Sequence, residues 1–390
     1  MTPSPGTWRR VALGMFAVGW GANQFSSMLV VYRDELGLSS GTLAALFGVY
    51  ALGLVPGLLI GGPASDRYGR RTLVVAFVAL SPLASLLLIV GRDGAEGLAA
   101  ARLLAGVCSG VVFAAGSAWV QELSAGAPSG AGARRAAVAL TAGFGSGPVV
   151  AALVAQVAAA PRVLAFVPHV VLGVVALAVL VRAGGVPETA PSAGGRIRVG
   201  LPRAVRGGAF VRVVVPTAPW VFAAAAISFA VLPERVGDDV PVAFAGLVTG
   251  VTLGCGVLVQ PLARRVEDRR PLRAGTLGLV AAAAGAALGA GVLALGAPVL
   301  LLVCAPVLGA AYGLCLVSGL RLSERLAAPQ ERGATLAVFY ALTYMGFGAP
   351  YALTAVAGLT GDVGALLAAA ALAAATAGWV SRARTDRAPT

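Results

Sequence analysis

The sequence predicts an all-α integral membrane protein whose twelve spans fall into two sets of six. Three observations lead there. Of the 390 residues 58% are apolar and only 12% charged, and mean hydropathy is +0.88, which is not the balance of a water-soluble chain. Apolar runs long enough to cross about 30 Å of hydrocarbon as helices, roughly 20 residues each, recur along almost the whole length. The basic residues gather between alternate runs.

Taken in order, the runs place spans at approximately 10–31, 41–62, 72–91, 97–120, 136–159, 163–183, 211–232, 241–262, 272–294, 298–320, 333–356 and 362–381. The first is followed by a charged turn instead of a small-residue cleavage site, so it reads as a retained membrane helix. The longest interruption is rich in turn residues, among them Gly184, Gly185, Pro187, Pro191, Gly194, Gly195 and Pro202, and its polarity has no periodicity on which to found a packed domain. The expected organisation is therefore an N-terminal six-helix bundle over 1–183, a linker over 184–210 and a C-terminal six-helix bundle over 211–390.

All 29 basic side chains are arginine, and the formal net charge is +13. If the N-terminus lies inside, 24 of them fall in the termini and inner connections; the outer ones hold only Arg33, Arg92, Arg162 and Arg235, and Arg102 sits within span 4. Positive charge retained on the cytoplasmic side puts both termini there, and the excess reads as orientation and contact with anionic lipid headgroups. Nucleic-acid binding is not expected, because no soluble basic domain exists to carry it. Cys108, Cys255, Cys304 and Cys315 fall inside spans without metal-ligand spacing, as small apolar fillers. No metal and no cofactor is expected.

The densest polar feature is Gly62-Pro-Ala-Ser-Asp66-Arg67-Tyr-Gly69-Arg70-Arg71, read as a cytoplasmic loop between spans 2 and 3. Set over Gly256 to Leu272 at an offset of 199, residues 57–73 match at Gly57/Gly256, Leu59/Leu258, Ala64/Ala263, Arg70/Arg269, Arg71/Arg270 and Leu73/Leu272, so the connection after span 8 is a decayed copy. Gly-x-x-x-Asp-Arg-x-Gly-Arg-Arg in this setting resembles the signature loop of the major facilitator superfamily, and the resemblance extends over nearly the whole chain. It implies a six-plus-six parallel repeat that binds substrate near the midplane and alternates access. It also implies a conformational switch made of Gly62, Asp66, Arg67, Gly69, Arg70, Arg71 and Glu122, with Asp66 facing the N-terminus of span 11 near Gly333 and Arg70 paired to Glu122. The second copy carries Arg265 where the first has Asp66, so the switch is assigned to the first half alone.

Two further stretches resemble family elements. Arg102, with Gly106 and Gly110 four and eight residues on, places a cation inside span 4, where charges face the bundle interior or water; snorkelling to the outer surface is the alternative. Gly143, Gly147 and Pro148 in span 5 look like the helix-5 element of antiporter branches, although Ala151 and Ala152 replace its final glycines. Together these imply a drug or metabolite exporter-like member, and the arginine-only, Ala/Gly/Val-rich composition suggests a GC-rich bacterium, hence its inner (plasma) membrane.

Polar and aromatic groups at helical spacing mark the substrate cavity: Trp20, Asn23 and Ser27 in span 1; Thr217, Trp220, Ala224 and Ser228 in span 7; Tyr340, Tyr344, Phe347 and Tyr351 in span 11. Aromatic walls with few polar groups suit an amphipathic organic ligand. All 16 acids are assigned to connections or span ends, so the candidates for proton coupling are Asp34, Glu35 and Glu234 at the outer rim, with Asp34 ranked first, and His169, the sole histidine, in span 6. The expectation is a monomeric secondary transporter that exports a hydrophobic or amphipathic small molecule against proton entry, a uniporter or importer of a neutral metabolite being the alternative. Enzyme chemistry is not expected, since there is no Asp-rich diphosphate motif, no His cluster and no Walker loop; a transporter-derived sensor is the remaining alternative.

Overall fold

A computed structural model describes residues 6–128, 131–182, 201–237, 240–328 and 331–383. It is all-helical among them. In chain order the helices are α1 (Trp8–Asn23), α2 (Leu29–Leu36), α3 (Ser40–Tyr68), α4 (Arg70–Val90), α5 (Ala95–Glu122), α6 (Ala131–Val157), α7 (Pro161–Leu164), α8 (Val167–Arg182), α9 (Val215–Ala226), α10 (Leu232–Arg235), α11 (Val242–Leu258), α12 (Gln260–Arg269), α13 (Arg273–Leu295), α14 (Leu301–Leu326), α15 (Arg332–Tyr344) and α16 (Ala349–Arg382). Among the described residues ten stretches are long and apolar enough to span a bilayer. One of them, Arg332–Arg382, is 51 residues long and contains the non-helical Gly361 at φ 72°, which makes it two crossings. The predicted first span is the other departure. It is broken after Asn23 and resumes through a 3₁₀ turn at Ser26–Met28 before α2.

The chain forms two compact units, Met1–Val31 with Val49–Val199, and Tyr32–Gly48 with Gly200–Thr390. The division differs from the expected 1–183 and 211–390 in that residues 32–48 belong with the second unit. The cause is side-chain chemistry: Arg33 and Ser40 bond to Glu234, while the Phe47 ring packs edge-on against Phe229 and Phe347 at 6.0 and 5.0 Å. Of the expected linker, residues 184–200 lie outside the described part; Arg203–Arg206 is a 3₁₀ turn.

Within the first unit α3 meets α5 through small residues, and within the second α11 meets α14 in the same way. A Cβ on Gly110 would strike the Leu54 carbonyl oxygen, and one on Gly309 the Thr252 carbonyl oxygen. Gly110 and Gly309 are 199 positions apart, so the repeat seen in the connections also preserves a backbone-to-backbone seam where lipid supplies no hydrophobic drive and close packing must do so instead. Large apolar side chains such as Leu52, Val90, Leu258 and Leu359 point outward, as a lipid-facing surface requires.

Candidate functional site

The signature stretch is not a loop. Helix α3 continues through Asp66 to Tyr68, Gly69 alone leaves the helix, and α4 starts at Arg70. Gly69 has φ 92° and ψ 137°, a conformation that any L side chain would strain; this is why one residue reverses the chain direction between two helices. Gly62 lies in helical backbone with open space where a Cβ would be. The tight turn puts Arg70 one helical turn from Asp66, with Nη2 3.1 Å from Oδ1, while its Nε donates to Glu122 Oε1 at the end of α5 at 2.7 Å. Arg70 thus ties α3, α4 and α5 together. Asp66 is 60% exposed at its side chain and Glu122 28%. Arg67 stacks over Tyr68 at 5.3 Å.

The decayed copy in the second unit keeps an ion pair with the signs exchanged. Asp268 of α12 lies 3.6 Å from Arg321 and 3.9 Å from Arg325 on α14, and Arg321 stands 199 residues after Glu122. Its neighbour Glu267 is fully buried and accepts the backbone N–H groups of Leu272 at 2.8 Å and Ala274 at 3.2 Å, capping α13 with a negative charge. Glu267→Gln presents an amide nitrogen to one of these donors, so a loss of about 2 kcal/mol of stability is expected, measurable as a lower thermal midpoint in detergent with Asp268→Asn as the milder comparison.

Arg102 does not snorkel. It is 2% exposed, donates from Nη1 to the Ala22 carbonyl at 2.9 Å, and lies 4.9 Å from the Phe25 ring and 4.6 Å from that of Tyr50. Because α1 stops at Asn23, Ala22 belongs to a turn of carbonyls at the negative end of a helix, and the guanidinium sits there as its cap.

The span 5 motif explains the rest of that break. Pro148 has no N–H, which leaves the Phe144 carbonyl without its helical donor. Asn23 Nδ2 donates to that oxygen at 3.0 Å, and Ser27 Oγ donates to the Pro148 carbonyl at 2.8 Å. A Cβ on Gly143 would strike the Phe16 carbonyl oxygen, and one on Gly147 would lie within 3.1 Å of Trp20 backbone atoms, so α1 lies directly on α6. Asn23 and Ser27, expected on a cavity face, are both buried, and their donors bond backbone carbonyls of α6. Trp20 remains half-buried, its indole Nε1 without a hydrogen-bond partner among the described residues.

In the second unit two π-helical turns, Phe210–Val214 and Ile227–Val231, interrupt span 7. Thr217, Trp220 and Ala224 lie in the regular α9 between them and are all buried, and only Ser228 falls within an irregular turn. Ser228, expected to line the cavity, makes an inter-helix hydrogen bond with Thr252 Oγ1 at 2.7 Å. The aromatic stripe of span 11 is likewise broken by the 3₁₀ turn Met345–Gly348, and Tyr351 points outward, 58% exposed. Tyr340 is half-buried, its ring packed on Phe339 at 5.6 Å. Tyr344 and Phe347 stay inside with a partner that helical spacing does not reveal: Phe222 stacks on Tyr344 at 4.6 Å and lies 4.8 Å from Phe347 and 5.6 Å from Tyr312. Phe222 is two residues beyond Trp220 in the same regular helix α9, off the chosen helical face, and nothing in the spacing signals it.

The coupling candidates separate by burial. Asp34 is 44% exposed at its side chain and paired to Arg33 Nε at 2.8 Å, and Glu35 is exposed. His169 is fully enclosed: Nε2 lies 3.0 Å from the Ala17 carbonyl and Nδ1 2.7 Å from Ser85 Oγ, which accepts from Gln24 Nε2 at 2.6 Å. A neutral ring donating from Nε2 and accepting at Nδ1 satisfies this chain. Glu234, 7% exposed, is the buried carboxylate of the outer group, so an assignment of acids to span ends did not mean solvation.

Comparison with known proteins gives a match of residues 11–349 to the model described as Major Facilitator Superfamily. A curated 3-(3-hydroxy-phenyl)propionate transporter of Escherichia coli (strain K12) is 41% identical over 68 residues, 17% of this chain and 17% of that protein. Among solved structures, a peptide transporter POT in complex with sulfate superposes with TM-score 0.79 at 14% identity, over 97% of this chain and 94% of the other. The nucleoside transporter NupG superposes with TM-score 0.71 at 14% identity, over 96% and 99%. At these identities the structural likeness concerns the fold.

Proposed function

We propose, from the premise that the chain belongs to the Major Facilitator Superfamily and is a secondary membrane transporter, that it exports an amphipathic, ring-bearing small molecule in exchange for protons. The observation that carries the ligand class is the buried aromatic cluster of the second unit, where Phe222 stacks on Tyr344 and meets Phe347 and Tyr312. Four rings with only two phenol hydroxyls among them suit a ligand that is mostly apolar and carries few polar substituents. Export is supported by the α1/α6 seam at Gly143, Gly147 and Pro148 and by its likeness to antiporter elements. Uptake is the second reading. It is favoured by the stretch shared with a transporter of a phenyl-bearing acid.

The test is flux in proteoliposomes, with 3-(3-hydroxyphenyl)propionate and an uncharged phenol as probes. Movement against the proton gradient supports export, and co-movement with it supports uptake. Flux that follows only the solute gradient, indifferent to pH on either side, removes coupling.

The same assay addresses the switch. Asp66→Asn keeps the helix but loses the charge facing Arg70, and a fall in flux of about tenfold is expected, equivalent to about 1.4 kcal/mol in a gating equilibrium, with membrane insertion unchanged. Wild-type flux in the variant would reduce the stretch to a topology determinant. The arginine distribution supports a cytoplasmic position for both termini; phosphatase activity from a periplasmic reporter fused at Thr390 would overturn that.

A further inference from the structure

The end of the first unit at which α1 and α6 begin carries cations that neither the switch nor the aromatic cluster uses. The two helices run parallel: Trp8 of α1 meets Arg135 of α6, and further along Phe16 meets Gly143 in the same register. Both therefore present their positive dipole ends to the same place. Two guanidiniums stand over the Trp8 indole, that of Arg135 at 4.4 Å from the ring centre and that of Arg9 at 5.8 Å. Arg135 is held there by donating to Ser124 Oγ at 3.0 Å. Arg9 and its neighbour Arg134 are exposed, Trp8 and Arg135 half-buried. None of these three arginines has an ion pair among the described residues. No Asp or Glu occurs before Asp34 or between Glu122 and Glu188, and Glu122 is taken by Arg70 at 2.7 Å.

Along α1 this group opens onto the one face of the helix that is not packed. From Val11 to Asn23 every residue is buried except Leu13, Phe16 and Trp20, which follow Arg9 at helical spacing and so lie on its side of the helix. Phe16 meets Trp20 edge-on at 5.9 Å, and the Trp20 indole N–H has no acceptor among the described residues. On α6 the space over Gly145 is open. The face thus runs from uncompensated cations, past rings, to an unused donor, which matches a solute with a ring and an acidic group: a guanidinium binds a carboxylate through a planar fork, and an indole takes a ring by stacking. We propose that Trp8, Arg9 and Arg135 form an entry subsite for the acidic group of the solute, so that the transporter reading on which this rests narrows to ring-bearing organic anions. Cations gathered without a counter-ion raise the local concentration of such anions by long-range attraction, and the stripe through Leu13 and Phe16 leads the ring on to Trp20.

The experiment compares 3-(3-hydroxyphenyl)propionate and benzoate with their uncharged amides, in purified protein and in liposomes of phosphatidylcholine, which carries no net charge. The acids should quench tryptophan emission more than the amides do, and the excess should vanish in Trp8→Phe. Arg9→Gln and Arg135→Gln should each raise the KM of acid flux about fivefold more than that of amide flux, the size of one exposed ion pair. Arg9→Lys should recover part of the difference. Added salt should weaken acid entry in the wild type and less so in the variants. Arg182→Gln, which removes an exposed arginine from the end of α8, controls for loss of net charge and should leave the acid-to-amide ratio where it was.

A ratio that moves in neither arginine variant, or moves as much in Arg182→Gln, overturns the proposal, and so does equal quenching by acids and amides. Should Arg135→Gln not fold, Arg9→Gln decides alone. An anionic lipid headgroup also fits these cations. If phosphatidylglycerol added to the liposomes stabilises the wild type but not Arg9→Gln, while every KM stays unchanged, the group is a lipid contact and the proposal falls. Because emission is read without flux, acid-selective quenching with no movement of any probe would sink the transporter reading only, whereas flux of acids and amides untouched by the variants would sink this site only.

Discussion

Arg102→Met is expected to abolish solute flux and to lower the thermal midpoint of the purified protein, although the new side chain is similar in length and apolar. The guanidinium lies where α1 ends, donates to the Ala22 carbonyl, and is sandwiched near the rings of Phe25 and Tyr50. Losing one charge-assisted hydrogen bond and two desolvated cation–π contacts is worth about 3 kcal/mol after allowance for non-additivity. Met fills the volume but offers no donor to helix-end carbonyls that neither lipid nor water can reach. The break in α1 sets the direction of the chain into Ser26, Ser27 and α2, so the loss should extend to every group that the break positions. Circular dichroism melting and proteoliposome flux read the two effects separately. Arg102→Lys should recover part of the stability, because an ammonium retains charge and a donor but not the planar face. A variant Arg102→Met that is as stable and active as the wild type would mean that the α1 carbonyls find other partners.

Gly143→Val should be the most damaging of the seam substitutions. The Gly143 Cα faces the Phe16 carbonyl oxygen and the Trp20 backbone nitrogen with no room for a Cβ. Accommodating one moves α1 off α6, at about 1–3 kcal/mol for overpacking and more for a β-branched side chain. The displacement also stretches the bond from Asn23 to the Phe144 carbonyl, whose residue four positions on, Pro148, has no N–H. Gly145 is the internal control, since nothing lies within 4 Å of its would-be Cβ. Gly145→Ala should be near neutral in the same melting assay, whereas equal damage at both positions would show that helix bending, not inter-helix contact, is what the motif supplies.

The pairing of Arg70 with Glu122 was implied by the family resemblance, and the structure has it between the start of α4, set by Gly69, and the end of α5. The cavity faces were harder to read, because helical-wheel reasoning assumes unbroken 3.6-residue periodicity. Spans 1, 7 and 11 each depart from it, by a 3₁₀ turn, two π turns and a second 3₁₀ turn. Ser228, inside the second π turn, bonds Thr252, and Tyr351, beyond the second 3₁₀ turn, points outward, whereas Asn23 and Ser27 both keep toward α6 and Phe222, in regular helix, lies off the chosen face.

Composition and run length by themselves determined that this chain is helical and lies in a membrane, because a backbone in hydrocarbon must satisfy its own hydrogen bonds and about 20 apolar residues are the shortest helix that crosses. The motif spacing and the 199-residue repeat determined the family resemblance, and the resemblance in turn implied the Arg70 pairing. Tertiary structure alone decided which polar groups are buried and what they serve: that Asn23 repairs the gap left by Pro148, that Arg102 caps a broken helix, and that Glu234 instead of Asp34 is withdrawn from solvent. The reason is that burial and local helix irregularity arise from packing between segments far apart in sequence, Asn23 with Phe144 and Arg235 with Asp362, whereas hydropathy and spacing are local.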